Sequence, residues 1–254
     1  MPMPYDGWPR GATVQILSQD PASQAITALL TLASGFRREP GSIAAPSELF
    51  VLGGSLAIDQ QRHGFGYYEH RLGGATQPSW STADGCRLLA LVKGRADFAA
   101  GRAADARPPA IGFETERLAW RAGRIPGPPP GLFSKTLRHD DASGERVFLS
   151  ACVRRFDYSL SEYHDCAEES FRIAGDMRLA TTGLLTAGSY YWRPPYVTHG
   201  PFYSRGGSLA FMTVDGPLIN HYVDDPWRSA DANRDEARTL GPPRDHLAGW
   251  VQGD

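Results

Sequence analysis

The feature that most constrains the fold is a repeat that relates the two halves of this 254-residue chain. Gly11 and Leu17 have counterparts 120 positions later, at Gly131 and Leu137. The segment SELFVLGGSL matches EESFRIAGDM at a separation of 121, and DGCRLLALVKG matches GGSLAFMTVDG at 122. A separation that drifts so little over a whole unit indicates two copies of one fold.

Each copy consists of short apolar stretches, such as RVFLSACV and GSLAFMTVDG, that Gly, Pro, Asn or Asp residues close. Stretches of this length at regular spacing predict the strands of a β-sandwich or barrel. The 28 Gly and 20 Pro residues supply its turns. We therefore predict an all-β chain with one domain over residues 1–119, a second over 120–222 and a C-terminal tail over 223–254. The stretch RAGRIPGPPPG is typical of a stiff connector.

Composition and charge exclude several classes of partner. The formal net charge of -2 provides no basic surface for nucleic acid, so no nucleic-acid partner is predicted. The sequence has no apolar run of about 18 residues, so no membrane-spanning helix is predicted. Three cysteines and an N-terminus without the pattern of a signal peptide favour a cytoplasmic protein.

The residues that carry chemistry lie in the second copy. Glu162 and His164 are two positions apart, so on a strand they face the same side. Glu168 or Glu169 follows after a short turn, and His199 lies at the end of the next block. Two neutral imidazoles and one carboxylate are the ligand set of non-heme iron(II) oxygenases, and zinc accepts similar ligands. The pattern therefore predicts a site for one divalent metal ion.

These spacings resemble those of the cupin superfamily. Residues 164–175, HDCAEESFRIAG, match the later part of its first motif, H-x3,4-E-x6-G. Residues 188–199, GSYYWRPPYVTH, match the frame of its second motif. Because the pattern occurs twice, the chain resembles a bicupin, in particular the group of anti-sigma-factor cupins and acetylacetone-cleaving dioxygenases. The resemblance implies two tandem jelly rolls, in agreement with the predicted strands.

The resemblance also implies which residues bind the metal. His164, Glu168 and His199 match the ligand positions of the motifs, with Glu169 as the alternative to Glu168. Glu162 replaces the first histidine of the family motif, and it is interpreted either as a fourth ligand or as a general base. Glu169 is a further candidate for the base.

Other departures from the family motifs are Phe156, where the first motif opens with Gly, and Tyr196 and Tyr203, where the second has Gly and Asn. They concern positions around the ligands and leave the ligand spacing intact.

The first copy serves as an internal control. Ile43, Ser47 and Gln77 occupy the positions of the three presumed ligands, while the surrounding glycines and apolar pattern persist. We therefore predict that the first copy binds no metal in this way and acts as a scaffold or a dimerisation surface. Glu169 has a counterpart in this copy, Glu48, which favours a structural role for both.

Three residues before the second histidine are candidates for the substrate pocket. Tyr190 and Trp192 are predicted to exclude water, and Arg193 to hold an anionic or enolate substrate. Tyr68 and Arg71 repeat two of them in the first copy, which favours a structural salt bridge for the arginine and leaves Trp192 as the better pocket residue.

The resemblance implies a metal-dependent enzyme, first of all a dioxygenase with one Fe(II) ion that cleaves a small diketone-like or hydroxylated substrate. Zn, Mn or Ni in the same site would instead favour a hydrolase, isomerase or lyase, with Glu162 or Glu169 as the base. A non-catalytic cupin that senses a metal or a ligand is the third interpretation. The expected partners are a small-molecule substrate and a second copy of the chain in a homodimer.

Overall fold

The computed structural model describes residues 11–101, 109–122, 129–180 and 182–223. The chain divides into two compact units between Arg117 and Leu118, close to the division after residue 119 that the sequence suggests. Most of the RAGRIPGPPPG connector, and all of the tail except Val223, lie outside the described residues.

The N-terminal unit consists of antiparallel strands and one short 3-10 helix, Thr115–Arg117. Its strands are β1 Ala12–Gln19, β2 Ile26–Leu32, β3 Arg37–Arg38, β4 Gly41–Ile43, β5 Ser47–Gly54, β6 Leu56–Ile58, β7 Gln61–His63, β8 Tyr67–Arg71, β9 Thr76–Gln77, β10 Trp80–Ser81, β11 Cys86–Val92, β12 Phe98–Ala100 and β13 Ile111–Glu114. They form a six-stranded sheet in the order β1-β2-β11-β5-β8-β13, with smaller sheets β3-β10-β6-β7 and β12-β4-β9. Apolar side chains on one face of these sheets form a buried core, which includes Leu30, Val51 and Leu88.

The C-terminal unit repeats this arrangement. Its strands are β14 Arg121–Ala122, β15 Leu132–His139, β16 Arg146–Cys152, β17 Phe156–Tyr158, β18 Ser161–His164, β19 Glu168–Leu179, β20 Gly183–Thr186, β21 Tyr190–Arg193, β22 Phe202–Ser204, β23 Ser208–Val214 and β24 Asn220–Val223. The main sheet runs β14-β15-β16-β23-β19-β22-β17, with β20 and β21 also paired to β19, and β18 pairs with β24.

The strand registers confirm that the two units are copies of one all-β fold. A β-bulge between Ile16 and Ser18 on β1 recurs between Thr136 and Arg138 on β15. Bulges are defined features of a strand pair, so their recurrence at the same place is strong evidence of a shared architecture. No helix in the part of the chain that the structure describes is long and apolar enough to cross a membrane.

One glycine position shows why the repeat retains its glycines. Gly54 and Gly175 end the regular part of β5 and β19 with positive φ angles of 70° and 73°. A Cβ atom at either residue would collide with the carbonyl oxygen of Gly85 or Gly207 on the neighbouring strand. Only glycine combines this conformation with such a close approach of two backbones.

Candidate metal centre

The four candidate ligands are brought together by β18 and the start of β19. Glu162 and His164 lie two residues apart on β18, so their side chains project from the same face. The backbone N–H groups of Glu162 and His199 each donate to the other residue's carbonyl at 2.8 Å, which places His199 beside β18. Glu168 is the first residue of β19, after a short turn.

The distances among the four side chains fit a single ion. The Nε2 atom of His164 lies 3.6 Å from Glu168 Oε2 and 4.0 Å from Glu162 Oε1. The Nε2 atom of His199 lies 3.9 Å from Glu168 Oε1 and 3.7 Å from Glu162 Oε1. Two donor atoms that each lie about 2.1 Å from one ion can be no more than about 4.2 Å apart. All four separations satisfy this limit, and they are too long for hydrogen bonds.

Glu162, which replaces the first histidine of the family motif, is one of the residues whose donor atoms lie close together. One ligand atom each from Glu162, His164 and His199 lie within 4.8 Å of one another. Glu168 lies beside this group rather than in it: its Oε2 atom is the one near His164, whereas its Oε1 atom is near His199 and bonds to Arg193 and Tyr191. The site therefore offers two imidazoles and two carboxylates.

Both imidazoles are in the neutral form that binds a metal ion. Burial lowers the pKa of His199 to about 4 and also lowers the pKa of His164, so both rings are neutral near pH 7. The Nδ1 atom of His199 lies 3.0 Å from the carbonyl oxygen of Val197. Because a carbonyl only accepts hydrogen bonds, Nδ1 carries the proton and Nε2 presents its lone pair to the site.

The surroundings of the two carboxylates shift their pKa values in opposite directions. Burial, with the nearby Glu168 charge, raises the pKa of Glu162 to about 8, and Asn220 Nδ2 donates to its Oε2 atom at 2.7 Å. Burial also opposes ionisation of Glu168, but the Arg193 guanidinium and the Tyr191 hydroxyl favour it, and the pKa of Glu168 is lowered. Arg193 forms a buried ion pair with Glu168 Oε1, and the Tyr191 hydroxyl donates to the same oxygen at 3.0 Å.

The site faces a cavity of about 110 Å³ in the interior of the C-terminal unit. Most of the cavity wall is apolar, including Phe148, Phe156, Phe202 and Met212. The ring of Phe202 meets the His199 imidazole edge-on, with the centroids 5.6 Å apart. A low-dielectric wall of this kind strengthens electrostatic interactions inside the site and limits access of water.

The N-terminal unit shows what the same fold looks like without these ligands. The Gly41–Gln77 pairing of β4 and β9 corresponds to the Glu162–His199 bridge. Gln77 Nε2 donates to Ser47 Oγ at 3.1 Å, so these two ligand positions bond to each other. The corresponding cavity measures only about 30 Å³. Ile43, the third position, is buried in the apolar core of the unit.

The structure places three sequence candidates away from the cavity. Trp192 is 53% exposed, and neither it nor Tyr190 lines the cavity, so the prediction that they shield the substrate needs correction. Glu169 pairs with Trp192 across β19 and β21, one residue out of phase with Glu168, and also does not line the cavity. Successive strand residues point to opposite faces, so Tyr191 takes an inward position and lines the cavity. A fourth candidate, Arg193, is also buried but does not line the cavity: its guanidinium pairs with Glu168, which is the structural salt bridge that Arg71 suggested and not a substrate contact.

Three residues of the site were not predicted from the sequence. Tyr191 and Asn220 bond to the two carboxylates, and Arg172 lines the cavity four residues after Glu168 on β19. Asn220 lies opposite His164 in the β18–β24 pair, so its role depends on a pairing of distant segments. Arg172 could have been found from the sequence, because it is a charged residue within the largely apolar stretch SFRIAG.

A family model described as "Domain of unknown function (DUF4437)" matches residues 2–221. The chain belongs to this family. No curated protein sequence matches the chain.

Solved structures share its fold. A protein from Nostoc punctiforme described as a "putative dioxygenase" is 20% identical, with a TM-score of 0.77 over 87% of this chain and 83% of that one. A "Cupin 2 conserved barrel domain protein" from Leptotrichia buccalis is 10% identical, with a TM-score of 0.53 over 82% and 90% of the two chains. Salicylate 1,2-dioxygenase from Pseudoaminobacter salicylatoxidans, a G106A mutant in complex with gentisate, is 12% identical, with a TM-score of 0.53 over 87% and 72%. Both units of the chain are therefore cupin jelly rolls.

Proposed function

We propose that this protein is a metal-dependent dioxygenase whose C-terminal cupin unit holds one divalent ion, with Fe(II) as the first choice. The observation that carries the proposal is the convergence of two neutral imidazoles and two buried carboxylates on one point of an apolar cavity. Two imidazoles and one carboxylate with open coordination positions are the arrangement used by non-heme iron(II) oxygenases, and Glu162, His164 and His199 supply it here.

Three side chains would hold the ion, Glu162, His164 and His199, and Glu168 lies beside them in its ion pair with Arg193. When bound, Fe(II) supplies coordination positions at which a chelating substrate and dioxygen meet. The donor set fits a hard or borderline cation, because it combines imidazole nitrogens with carboxylate oxygens and no thiolate.

The surrounding residues fix the ligands in place. Asn220 holds one oxygen of Glu162 and leaves Oε1 directed toward both imidazoles. Arg193 and Tyr191 fix Oε1 of Glu168, which directs Oε2 at His164. Partners that orient a ligand in this way raise metal affinity and keep the geometry constant during turnover.

The proposed substrate is a small chelator, such as a β-diketone in its enolate form or a hydroxylated aromatic compound. The cavity volume of about 110 Å³ favours a small molecule, and its aromatic wall favours a flat one. The names of two structural neighbours, a "putative dioxygenase" and salicylate 1,2-dioxygenase with gentisate, support this reaction class. We also propose that the chain acts as a homodimer.

Oxygen consumption by the iron-reconstituted protein tests the proposal. We expect uptake with at least one member of a panel of β-diketones and hydroxylated aromatics, in step with the loss of substrate. His199→Ala should reduce the rate at least about 100-fold, because it removes a ligand. Gln77→Ala, at the matching position of the N-terminal unit, should retain the full rate. Absence of uptake with every compound would contradict dioxygenase activity and favour hydrolase, isomerase or lyase chemistry with Zn, Mn or Ni.

A further inference from the structure

A buried arginine lies in the same cavity as the candidate metal centre. Arg172 follows Glu168 by four residues on β19, so both side chains project from the same face of the strand. Only 6% of Arg172 is exposed, and it lines the cavity. The two Cα atoms are about 13 Å apart along the strand, at about 3.3 Å per residue.

The charge of Arg172 has little compensation in the protein. Its Nη1 atom donates to Ser208 Oγ at 2.9 Å, whereas its buried Nε atom has no hydrogen-bond partner. Across the described ranges, no carboxylate lies within ion-pair distance of its guanidinium; burial lowers the pKa of Arg172 and outweighs Glu168 and Asp176, which favour the charge from farther away. Arg193 and Arg71, by contrast, each form a buried ion pair with a glutamate.

A neighbouring thiol does not supply the missing negative charge. Cys152 Sγ lies 3.4 Å from Ser208 Oγ, the acceptor that Arg172 uses. Burial raises the pKa of Cys152, so its thiol stays protonated near pH 7. The pair of Ser208 and Cys152 therefore leaves the guanidinium with a full positive charge.

The N-terminal unit shows that the fold does not need an arginine at this position. Arg172 pairs with Ala210, and the equivalent pair in the N-terminal unit is Val51 with Leu88. Val51 is fully buried in the apolar core. Burial of an uncompensated charge is far less favourable than burial of valine, so Arg172 weakens the fold at this point.

The polar character extends to β15 and β16, two other strands of the same sheet. Three further cavity residues are polar where the N-terminal unit is apolar: Ser134, Arg146 and Ser150 stand at the positions of Val14, Ile26 and Leu30. Arg146 is itself buried, donates to Ser134 and lies against the ring of Phe148. Ser134 and Ser150 lie in the same row of the sheet as Arg172, whereas Arg146 lies level with Glu168 and reaches Ser134 with its side chain.

We infer that Arg172 anchors a carboxylate group of the substrate at the end of the cavity away from the metal ligands. A guanidinium binds a carboxylate through two parallel hydrogen bonds, and Arg172 has donor hydrogens on Nη1 and Nη2 beyond the one that it gives to Ser208. This inference rests on the proposed function, and it narrows the substrate to a small molecule with a chelating group at one end and a carboxylate at the other.

Carboxylate binding to the metal-free protein tests the inference without using activity. The probes are acetate, butyrate and benzoate, each compared with its neutral amide by titration calorimetry after dialysis against EDTA. We expect at least one acid to bind about tenfold or more tightly than its amide. Arg172→Val should remove this preference and raise the melting temperature by a few degrees, because valine is the residue of the other unit. Arg172→Lys should retain part of the preference.

A surface arginine of the same unit provides the matched control. Arg154 is exposed, and Arg154→Val should leave the preference for acids unchanged. Equal affinity of the wild-type protein for every acid and its amide would overturn the inference, as would an unchanged preference in Arg172→Val. If Arg172→Val does not fold, the affinity of the wild-type protein for acids relative to amides still tests the inference. Because the probes bind without metal, this result is independent of whether the protein binds iron.

Discussion

Loss of the buried Arg193–Glu168 ion pair should make the stability of the C-terminal unit more dependent on bound metal. The side chains of Arg193 and Glu168 are only 8% and 5% exposed, so Arg193→Met leaves a buried carboxylate without its cation. Removal of one partner of a buried pair costs about 3–5 kcal/mol of unfolding free energy. The Tyr191 hydroxyl still donates to Glu168, which places the expected loss near the lower end, at about 3 kcal/mol.

The N-terminal unit offers a closely matched control. Arg71 pairs with Glu69 at 2.6 Å, and the Tyr67 hydroxyl also donates to that glutamate at 3.0 Å. Arg71→Met should therefore cost about the same free energy. Urea unfolding with EDTA and with Zn²⁺ measures both variants. Bound metal should restore part of the loss in Arg193→Met, because the cation compensates Glu168, and none of the loss in Arg71→Met. Equal restoration in the two variants, or a loss below about 1 kcal/mol in Arg193→Met, would refute the reasoning.

Tyr196 has a φ of 66°, so we expect Tyr196→Gly to be about 1 kcal/mol more stable to urea than Tyr196→Ala, since only glycine adopts this conformation freely. Gly175→Ala should lose about 2 kcal/mol or more in the same assay, because its Cβ would meet the Gly207 carbonyl. Glu162, with its pKa raised to about 8, is protonated at pH 7. Metal binding at pH 7 should thus release close to one proton, and the apparent affinity should rise up to about tenfold per pH unit from pH 6 to 8. Calorimetry in buffers of different ionisation enthalpy measures the release, which Glu162→Gln should abolish. Equal stability of the two Tyr196 variants, or a stable Gly175→Ala, would contradict the first two predictions.

The repeated fold could be predicted because its signals are local and occur twice. Short apolar strands closed by glycine mark each element, and a constant offset aligns the two units. The recurrence of the bulges at Ile16–Ser18 and Thr136–Arg138 shows that even strand irregularities follow this offset. Turns and bulges of this kind are local features, and they help to set the register of strands that a short turn connects.

The face of a strand was harder to predict than its position. Tyr190, Trp192 and Arg193 were assigned together to the pocket, although strand geometry sends Trp192 and Arg193 to opposite faces. The phase of β21 depends on its register with β19, where Arg193 lies opposite Glu168. The sequence alone contains no measure of that long-range register.

Comparison of the two copies held more information about the site than the motifs did. Ile43, Ser47 and Gln77 mark the positions where the N-terminal unit lacks ligands. The same comparison, extended along β5 and β19, would have found Arg172 opposite Val51. Asn220 could not be found in this way, because its contact with Glu162 depends on the packing of β24 beside β18.

Metal analysis of protein purified without oxygen tests the central claim most directly. Elemental analysis should find close to one divalent ion per chain in the wild type and in Gln77→Ala, and almost none in His164→Ala or His199→Ala. Iron should be the main metal when cells are supplied with it. A wild-type protein that carries no more metal than the two histidine variants would contradict the account.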